Sequence, residues 1–244
     1  MRSPPPRARI PGPDSVSTPK EGGETLPERA RPGARIEHKP IVEKKMSVLV
    51  AKPAPDFEAT AVLADGSIQE GFRLSDFRGK YVVLFFYPLD FTFVCPSEIL
   101  AFDHRVEEFE KRNTQVIGCS VDSHFTHAAW RNTPVDRGGI GPVRFPLVSD
   151  LTKNIARDYD VLVNEAVALR GSFLIDKEGV VQHQVVNNLP LGRNVDEMIR
   201  MVDALQFHES YGEVCPAGWK KGEEGMKPSA EGVAAWLAGH ADRL

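Results

Sequence analysis

Cysteine is scarce in this 244-residue chain. Cys95, Cys119 and Cys215 are too few for a disulfide scaffold, and their odd number leaves one unpaired. No two of them form Cys-x-x-Cys, which removes support for dithiol exchange of that type and for most zinc sites. Long hydrophobic runs are also missing, and none approaches the ~20 residues of a membrane span. The opening Met1-Arg2-Ser3-Pro4-Pro5-Pro6 has no apolar stretch of the kind a secretory signal needs. There is no basic excess either. A net charge of −4 argues against nucleic acid as the default partner. The expected compartment is therefore reducing and cytoplasmic, where cysteines that pair are more often catalytic than structural.

What is present is ordinary for a globular protein, with 41% hydrophobic and 26% charged residues. The length allows a sizeable core without staples. Residues 1–45 differ from the rest. They hold nine of the 19 prolines, and 10 Lys and Arg against six Asp and Glu, with no helical or strand period. They are expected to be a disordered extension. A targeting peptide is the weaker alternative, because acidic residues and prolines oppose an amphipathic transit helix.

Beyond the extension, apolar spacing lays out alternating elements. Phe57 to Val62 reads as a strand and Asp65-Gly66 as its turn. Tyr81 to Tyr87 is apolar throughout, as in a strand covered on both faces. Ile99, Phe102, Val106 and Phe109 mark one face of a helix expected from Pro96 to Lys111. Strands follow at Gln115 to Val121 and Phe145 to Val148, and helices at Ser123 to Asn132 and Thr152 to Tyr159. Ala168 to Ile175 and Val180 to Val186 form a hairpin about Asp176-Lys177-Glu178-Gly179. A helix spans Val195 to Phe207, and a last short one Ala230 to Ala241. The pattern is an α/β fold with a mixed sheet.

The densest chemistry lies in Tyr87-Pro88-Leu89-Asp90-Phe91-Thr92-Phe93-Val94-Cys95-Pro96. The strand ends, the chain turns at Pro88, and the Thr92 hydroxyl precedes the Cys95 thiol by three residues. Pro96 suits the first helical position, so Cys95 stands at a helix start. Unpaired N–H groups and the positive end of the helix dipole favour a thiolate there, and the thiolate is the nucleophilic form. Each residue also has a bland reading: Cys95 as a small core hydrophobe, Thr92 as a helix cap, Arg170 as a surface charge, Cys215 as an incidental tail cysteine. Cys119, inside a strand, is assigned to the core. His124 and His127 stand three apart on a helix but lack an evident third metal ligand, so they read as packed or solvated. Gly138-Gly139-Ile140-Gly141 lacks the strand-before, helix-after setting of a nucleotide loop.

Pro88-x-x-x-Thr92-x-x-Cys95 resembles the active-site motif of peroxiredoxins. Gly212-Glu213-Val214-Cys215-Pro216-Ala217-Gly218-Trp219 is similar to the resolving segment of the typical two-cysteine subfamily. Further matches run through Asp122-Ser123-His124-Phe125-Thr126-His127, Arg170-Gly171-Ser172-Phe173 and Leu191-Gly192-Arg193. The resemblance covers roughly residues 46–227. Met46-Ser47-Val48-Leu49-Val50 looks like the start of bacterial members, so residues 1–45 are expected to stem from an upstream start codon.

The resemblance implies a thioredoxin-like fold, a mixed central sheet flanked by helices. It implies a peroxidase domain over 46–208 and a C-terminal arm over 209–244. It implies a thiol-dependent peroxidase acting on hydrogen peroxide and organic hydroperoxides. Cys95 would become a sulfenic acid, and Cys215 would resolve it as a disulfide. An ordinary thiol of pKa ~8.5 is ~3% ionised at neutral pH, so full ionisation gains only roughly 30-fold. Enzymes typically gain at least ~10⁶-fold. The remainder must come from orienting the O–O bond and stabilising the leaving oxygen. The family assigns that work to Thr92 and Arg170, with Pro88 shielding the thiolate and Arg193 as a second, structural arginine. No metal, haem or flavin cofactor is implied. The implied partners are thioredoxin or a flavoprotein disulfide reductase as electron donor, and a second copy of the chain. That copy would form a homodimer with a Cys95–Cys215 disulfide between subunits, assembling into larger rings. Neither nucleic acid nor membrane is a partner. In sensitive relatives a Gly-Gly-Leu-Gly loop and a Tyr-Phe helix pack over the nucleophile's turn and promote overoxidation. This chain keeps the loop as Gly138-Gly139-Ile140-Gly141 and has Trp236-Leu237 where Tyr-Phe would stand, among Ala234, Ala235, Ala238 and Gly239. A tail so rich in Ala and Gly is expected to fray and give resistance. The counter-reading is that Trp236 fills the tyrosine's place and restores sensitivity. Two rivals remain at this point: a general disulfide oxidoreductase and a holdase chaperone.

Overall fold

The computed structural model describes residues 48–244. The extension read at 1–45 lies outside the described residues. The molecule is built around β3 (Tyr81–Phe86), all six residues of which are buried. A strand's period of two sends Val82, Leu84 and Phe86 to one face and Tyr81, Val83 and Phe85 to the other. The first set packs with Ile117, Cys119 and Phe173, and the second with Ile99, Phe102 and Phe109. Such a strand must be internal. Its neighbours are β4 (Thr114–Ser120), parallel, and β8 (Arg170–Ile175), antiparallel. With β1 (Glu58–Val62), β2 (Ile68–Arg73), β5 (Leu147–Ser149) and β9 (Val181–Asn187), the sheet runs β2-β1-β5-β4-β3-β8-β9. A separate ribbon pairs β6 (Leu162–Val163) with β7 (Val167–Ala168). The helices are α1 (Cys95–Asp103), α2 (Val106–Glu110), α3 (His124–Asn132), α4 (Asn154–Asp158), α5 (Val195–Tyr211) and α6 (Ala230–His240). The mixed sheet with flanking helices is the expected architecture.

Several boundaries differ from expectation, each for a physical reason. The helix expected over Pro96 to Lys111 is two helices. Arg105 leaves helical geometry (φ −112°, ψ 6°), and its guanidinium is drawn to Asp196 at the start of α5. The apolar stripe survives the break, because Ile99, Phe102, Val106 and Phe109 are all buried. β2 was not expected, and it carries a glycine, Gly71, in its middle. The glycine takes φ +69°, and the β1–β2 pairing has an irregular register. α5 runs a turn further than expected, to Tyr211, and Gly212 then ends it at φ +69°. The expected boundary at 208/209 therefore falls inside that helix. No residue of α6 is buried. Among the described residues no helix is long and apolar enough to cross a membrane.

Candidate active site

Cys95 is the first residue of α1 and is fully buried. Its sulfur faces two groups supplied by different parts of the chain. Thr92 Oγ1, from the loop after β3, stands 2.9 Å away, and Arg170 Nη1, from the first residue of β8, 3.4 Å. The antiparallel pairing of β3 with β8 aligns the two strands so that Arg170 reaches the end where β3 gives way to that loop. Pro88, also buried, stands two residues past the end of the strand, after Tyr87.

The Thr92 hydroxyl makes no helix-capping bond. It lies 2.8 Å from Leu89 O as well as 2.9 Å from the sulfur. The hydroxyl has one proton, and a carbonyl can only accept. While Cys95 carries its proton, Thr92 donates to Leu89 and accepts from the thiol. Once the sulfur is ionised, Thr92 can donate to it instead.

Arg170 is held by a carboxylate that the sequence did not single out. Glu98 sits three residues after Cys95 in the first turn of α1 and is 3% exposed. Its Oε2 accepts from Arg170 Nη1 at 2.6 Å and Arg193 Nη2 at 3.0 Å. Its Oε1 accepts from Arg193 Nε at 2.8 Å and the Arg193 backbone N–H at 2.9 Å. Arg170 Nε donates to Leu189 O at 2.7 Å. Arg193 Nη1 donates to Gly171 O at 2.7 Å, and its guanidinium lies over the Phe85 ring. Burial pulls Arg193 below the usual arginine range, and its hydrogen bonds to Glu98 oppose this. The guanidinium that faces Cys95 is thus fixed by one charge-assisted bond to Glu98 and one bond to Leu189 O, while Arg193 holds Glu98 through three more. The available sequence signal for Glu98 was a carboxylate on the same helical face as Cys95 and the core residues Ile99 and Phe102. Gly171, next to Arg170, permits a close approach of the Val161 side chain. An added Cβ would lie 2.8 Å from Val161 Cγ1.

Cys215 is elsewhere. It follows α5, with its sulfur 3.4 Å from Ala204 O, in a cavity of about 300 Å³ that Leu174 and His183 also line. Burial raises its thiol above the ordinary range, opposed by Arg200. All three cysteines are free. Cys119 lies in the core as expected, and burial pushes its thiol well up. His127 is fully buried, with Nδ1 2.7 Å from Asp90 Oδ2 and Nε2 3.1 Å from Val148 O, so its packed reading holds.

The chain matches two family models: the AhpC/TSA family over residues 50–184, and the C-terminal domain of 1-Cys peroxiredoxin over residues 204–239. It is 59% identical to alkyl hydroperoxide reductase C of Helicobacter pylori, over 81% of this chain and 100% of that protein. The structure superposes on the reduced 2-Cys peroxiredoxin of Plasmodium vivax with a TM-score of 0.77 and 55% identity, covering 79% and 100% of the two chains. For Plasmodium yoelii thioredoxin peroxidase I the TM-score is 0.64 at 60% identity, covering 71% and 99%. The fold is thus the thioredoxin-like fold of these neighbours. With a family model over more than half its length and relatives matched from end to end, the chain belongs to the AhpC/TSA family of peroxiredoxins.

Proposed function

We propose that Cys95 is the peroxide-attacking thiolate, Thr92 and Arg170 its partners in that step, and Cys215 the resolving thiol. The chain is a thiol-dependent peroxidase. The observation that carries the residue assignment is the buried Cys95 sulfur, within hydrogen-bond reach of both the Thr92 hydroxyl and the Arg170 guanidinium. The thiolate electron pair attacks one peroxide oxygen. The S–O bond forms, the O–O bond breaks, and the departing oxygen leaves as water or alcohol after taking a proton. Arg170 donates a hydrogen bond to that oxygen as its charge develops, and Thr92 orients the peroxide by donating and accepting at once. Pro88 brings no N–H and keeps water from the thiolate. The thiolate supplies the electron pair, so no cofactor enters the step.

The Cys215 thiolate then attacks the sulfenic sulfur, the S–S bond forms and water leaves. Cys95 lies by Arg170 and Cys215 by Leu174. Those strand positions are roughly 13 Å apart, at ~3.3 Å per residue. A disulfide needs Cα atoms within about 7 Å. This favours a bond to Cys95 of a second copy, in a homodimer. Beyond Val181, which pairs with Ala51 and Lys52, the outer edge of β9 has no backbone partner among the described residues. This supports that assembly, and larger rings are proposed to follow from it. The name of the Plasmodium yoelii neighbour favours thioredoxin as electron donor. A flavoprotein disulfide reductase is the other proposed donor. The proposed compartment is the cytoplasm, which fractionation of the native host would test.

The deciding experiment follows disulfide formation on non-reducing gels with one equivalent of peroxide. Wild type should form a two-chain disulfide. Cys95→Ser should consume no peroxide, and Cys215→Ser should consume one equivalent and then stop. Steady turnover by Cys95→Ser would sink the assignment.

A further inference from the structure

The Asp122-Ser123-His124 segment has no part in the steps above, yet its carboxylate is joined to the reactive sulfur through one peptide group. The Leu89 carbonyl that accepts from Thr92 and the Asp90 N–H belong to the same peptide plane. The N–H donates to Asp122 Oδ2 at 2.9 Å, and on the other side the C=O accepts from Thr92 Oγ1 at 2.8 Å. A peptide unit is planar, so fixing the direction of its N–H fixes that of its C=O. Asp122 is itself held. Ser120 Oγ donates to the same Oδ2 at 2.7 Å and accepts the Asp122 N–H at 3.2 Å, while Ser149 Oγ donates to Asp122 O at 2.7 Å.

We infer that Asp122 is a positioning residue for Thr92. By locking the Leu89–Asp90 peptide plane, it keeps the Leu89 carbonyl aimed at the Thr92 hydroxyl proton. The Thr92 lone pairs then stay turned toward the mouth of the site, ready to accept from the O–H of a peroxide that approaches the sulfur. Without the carboxylate the plane is free to rotate, the carbonyl turns away, and the hydroxyl no longer has a fixed proton direction. The loop itself stays in place, because the Asp90 side chain is anchored separately. Its Oδ1 accepts from the Tyr87 hydroxyl at 2.9 Å, and its Oδ2 meets His127 Nδ1 at 2.7 Å. This inference rests on the assignment of Thr92 to peroxide attack.

The test is a double-mutant cycle on the rate of peroxide attack, measured by stopped-flow fluorescence on the full-length enzyme. Asp122→Ala should slow attack by about tenfold, the scale of a lost charge-assisted hydrogen bond. Asp122→Asn, which keeps an acceptor, should recover to within about threefold of wild type. The double variant Asp122→Ala/Thr92→Val should be no slower than Thr92→Val alone, because the two residues act through one hydroxyl. A structural role separate from Thr92 would make the losses multiply instead. Multiplying losses, or a slow Thr92→Val beside an Asp122→Ala at wild-type rate, overturns the role of Asp122 and leaves the active-site reading standing. A wild-type rate in Thr92→Val overturns that reading and the role of Asp122 with it. If Asp122→Ala does not fold, Ser120→Ala loosens the same carboxylate and should give a smaller loss, again non-additive with Thr92→Val. No loss, or a multiplying one, overturns the inference by that route.

Discussion

Replacing Glu98 by glutamine separates two things that Cys95 needs, ionisation and a positioned arginine. The carboxylate is 3% exposed and lies between two guanidiniums. Each of its oxygens accepts two bonds. A glutamine amide keeps the shape but turns one oxygen into a donor. Placed at Oε2, the NH₂ group faces Arg170 Nη1 and Arg193 Nη2. Placed at Oε1, it faces the Arg193 N–H and Nε. Either way two donors lose an acceptor in the interior. Breaking a buried pair by removing one charge costs about 3–5 kcal/mol. For a chain of this size each kcal/mol moves Tm by about 2–4 °C, so the melting temperature should fall by about 10 °C. Peroxide attack should slow by more than about tenfold, because Arg170 is no longer held toward the departing oxygen. Alkylation of Cys95 by iodoacetamide asks only for an accessible thiolate, and removing a neighbouring negative charge does not oppose one. Its rate should therefore stay at or above wild type. Stopped-flow mixing, pseudo-first-order alkylation and scanning calorimetry give the three readouts. A variant with wild-type melting and wild-type peroxide rate would refute the network. Alkylation and peroxide rates falling in step would place the effect on the thiolate rather than on Arg170.

Three further outcomes follow. Burial lowers the His183 imidazole below its ordinary 6.5, so the unfolded chain takes up that proton first. Its stabilising contribution is present above about pH 6.5 and is lost as pH falls through the depressed value. His183→Gln should therefore lose less denaturant stability than wild type between about pH 7 and pH 5, and equal slopes would contradict this. Cys119 is fully buried and its thiol is pushed well up. Peptide mapping after brief native alkylation should find label on the half-buried Cys215 and none on Cys119 until the chain is unfolded. α6 has no buried residue, and its Trp236 ring stacks on His240 of the same helix, with centroids 4.2 Å apart. A helix so loosely held should clamp the first turn of α1 weakly and let resolution outrun a second peroxide. Intact-mass spectra during recycling should show little Cys95 sulfinic acid at micromolar peroxide; its accumulation would show that the clamp is effective, and Trp236→Ala would then be the variant to make.

What the sequence determined by itself is local. A run of apolar residues from Tyr81 to Phe86 has one stable home, a strand covered on both faces, and the structure puts it there. The spacing of Ile99, Phe102, Val106 and Phe109 specifies one buried face, even though Arg105 interrupts the helix. Cys95 at a helix start follows from Pro96 and the preceding turn, and the family motif supplied the names of Thr92, Arg170 and Cys215. Where local rules were broken, the reading failed. β2 carries a left-handed glycine in its middle, and the β6–β7 turn puts Glu165 as well as Asn164 at positive φ, a conformation that glutamate does not advertise.

Only the tertiary structure decided which polar groups meet. Arg170 is 75 residues from Cys95, and Arg193 is 95 from Glu98. Their contacts depend on the register of β8 against β3 and on the loop that leads into α5. A carboxylate three residues past a cysteine is an ordinary surface residue until two distant guanidiniums converge on it. The Leu89–Asp90 peptide carries no signature in its residue types at all. Its importance lies in the direction of one N–H and one C=O, and that direction is set when the strand ends bring Asp122 alongside it.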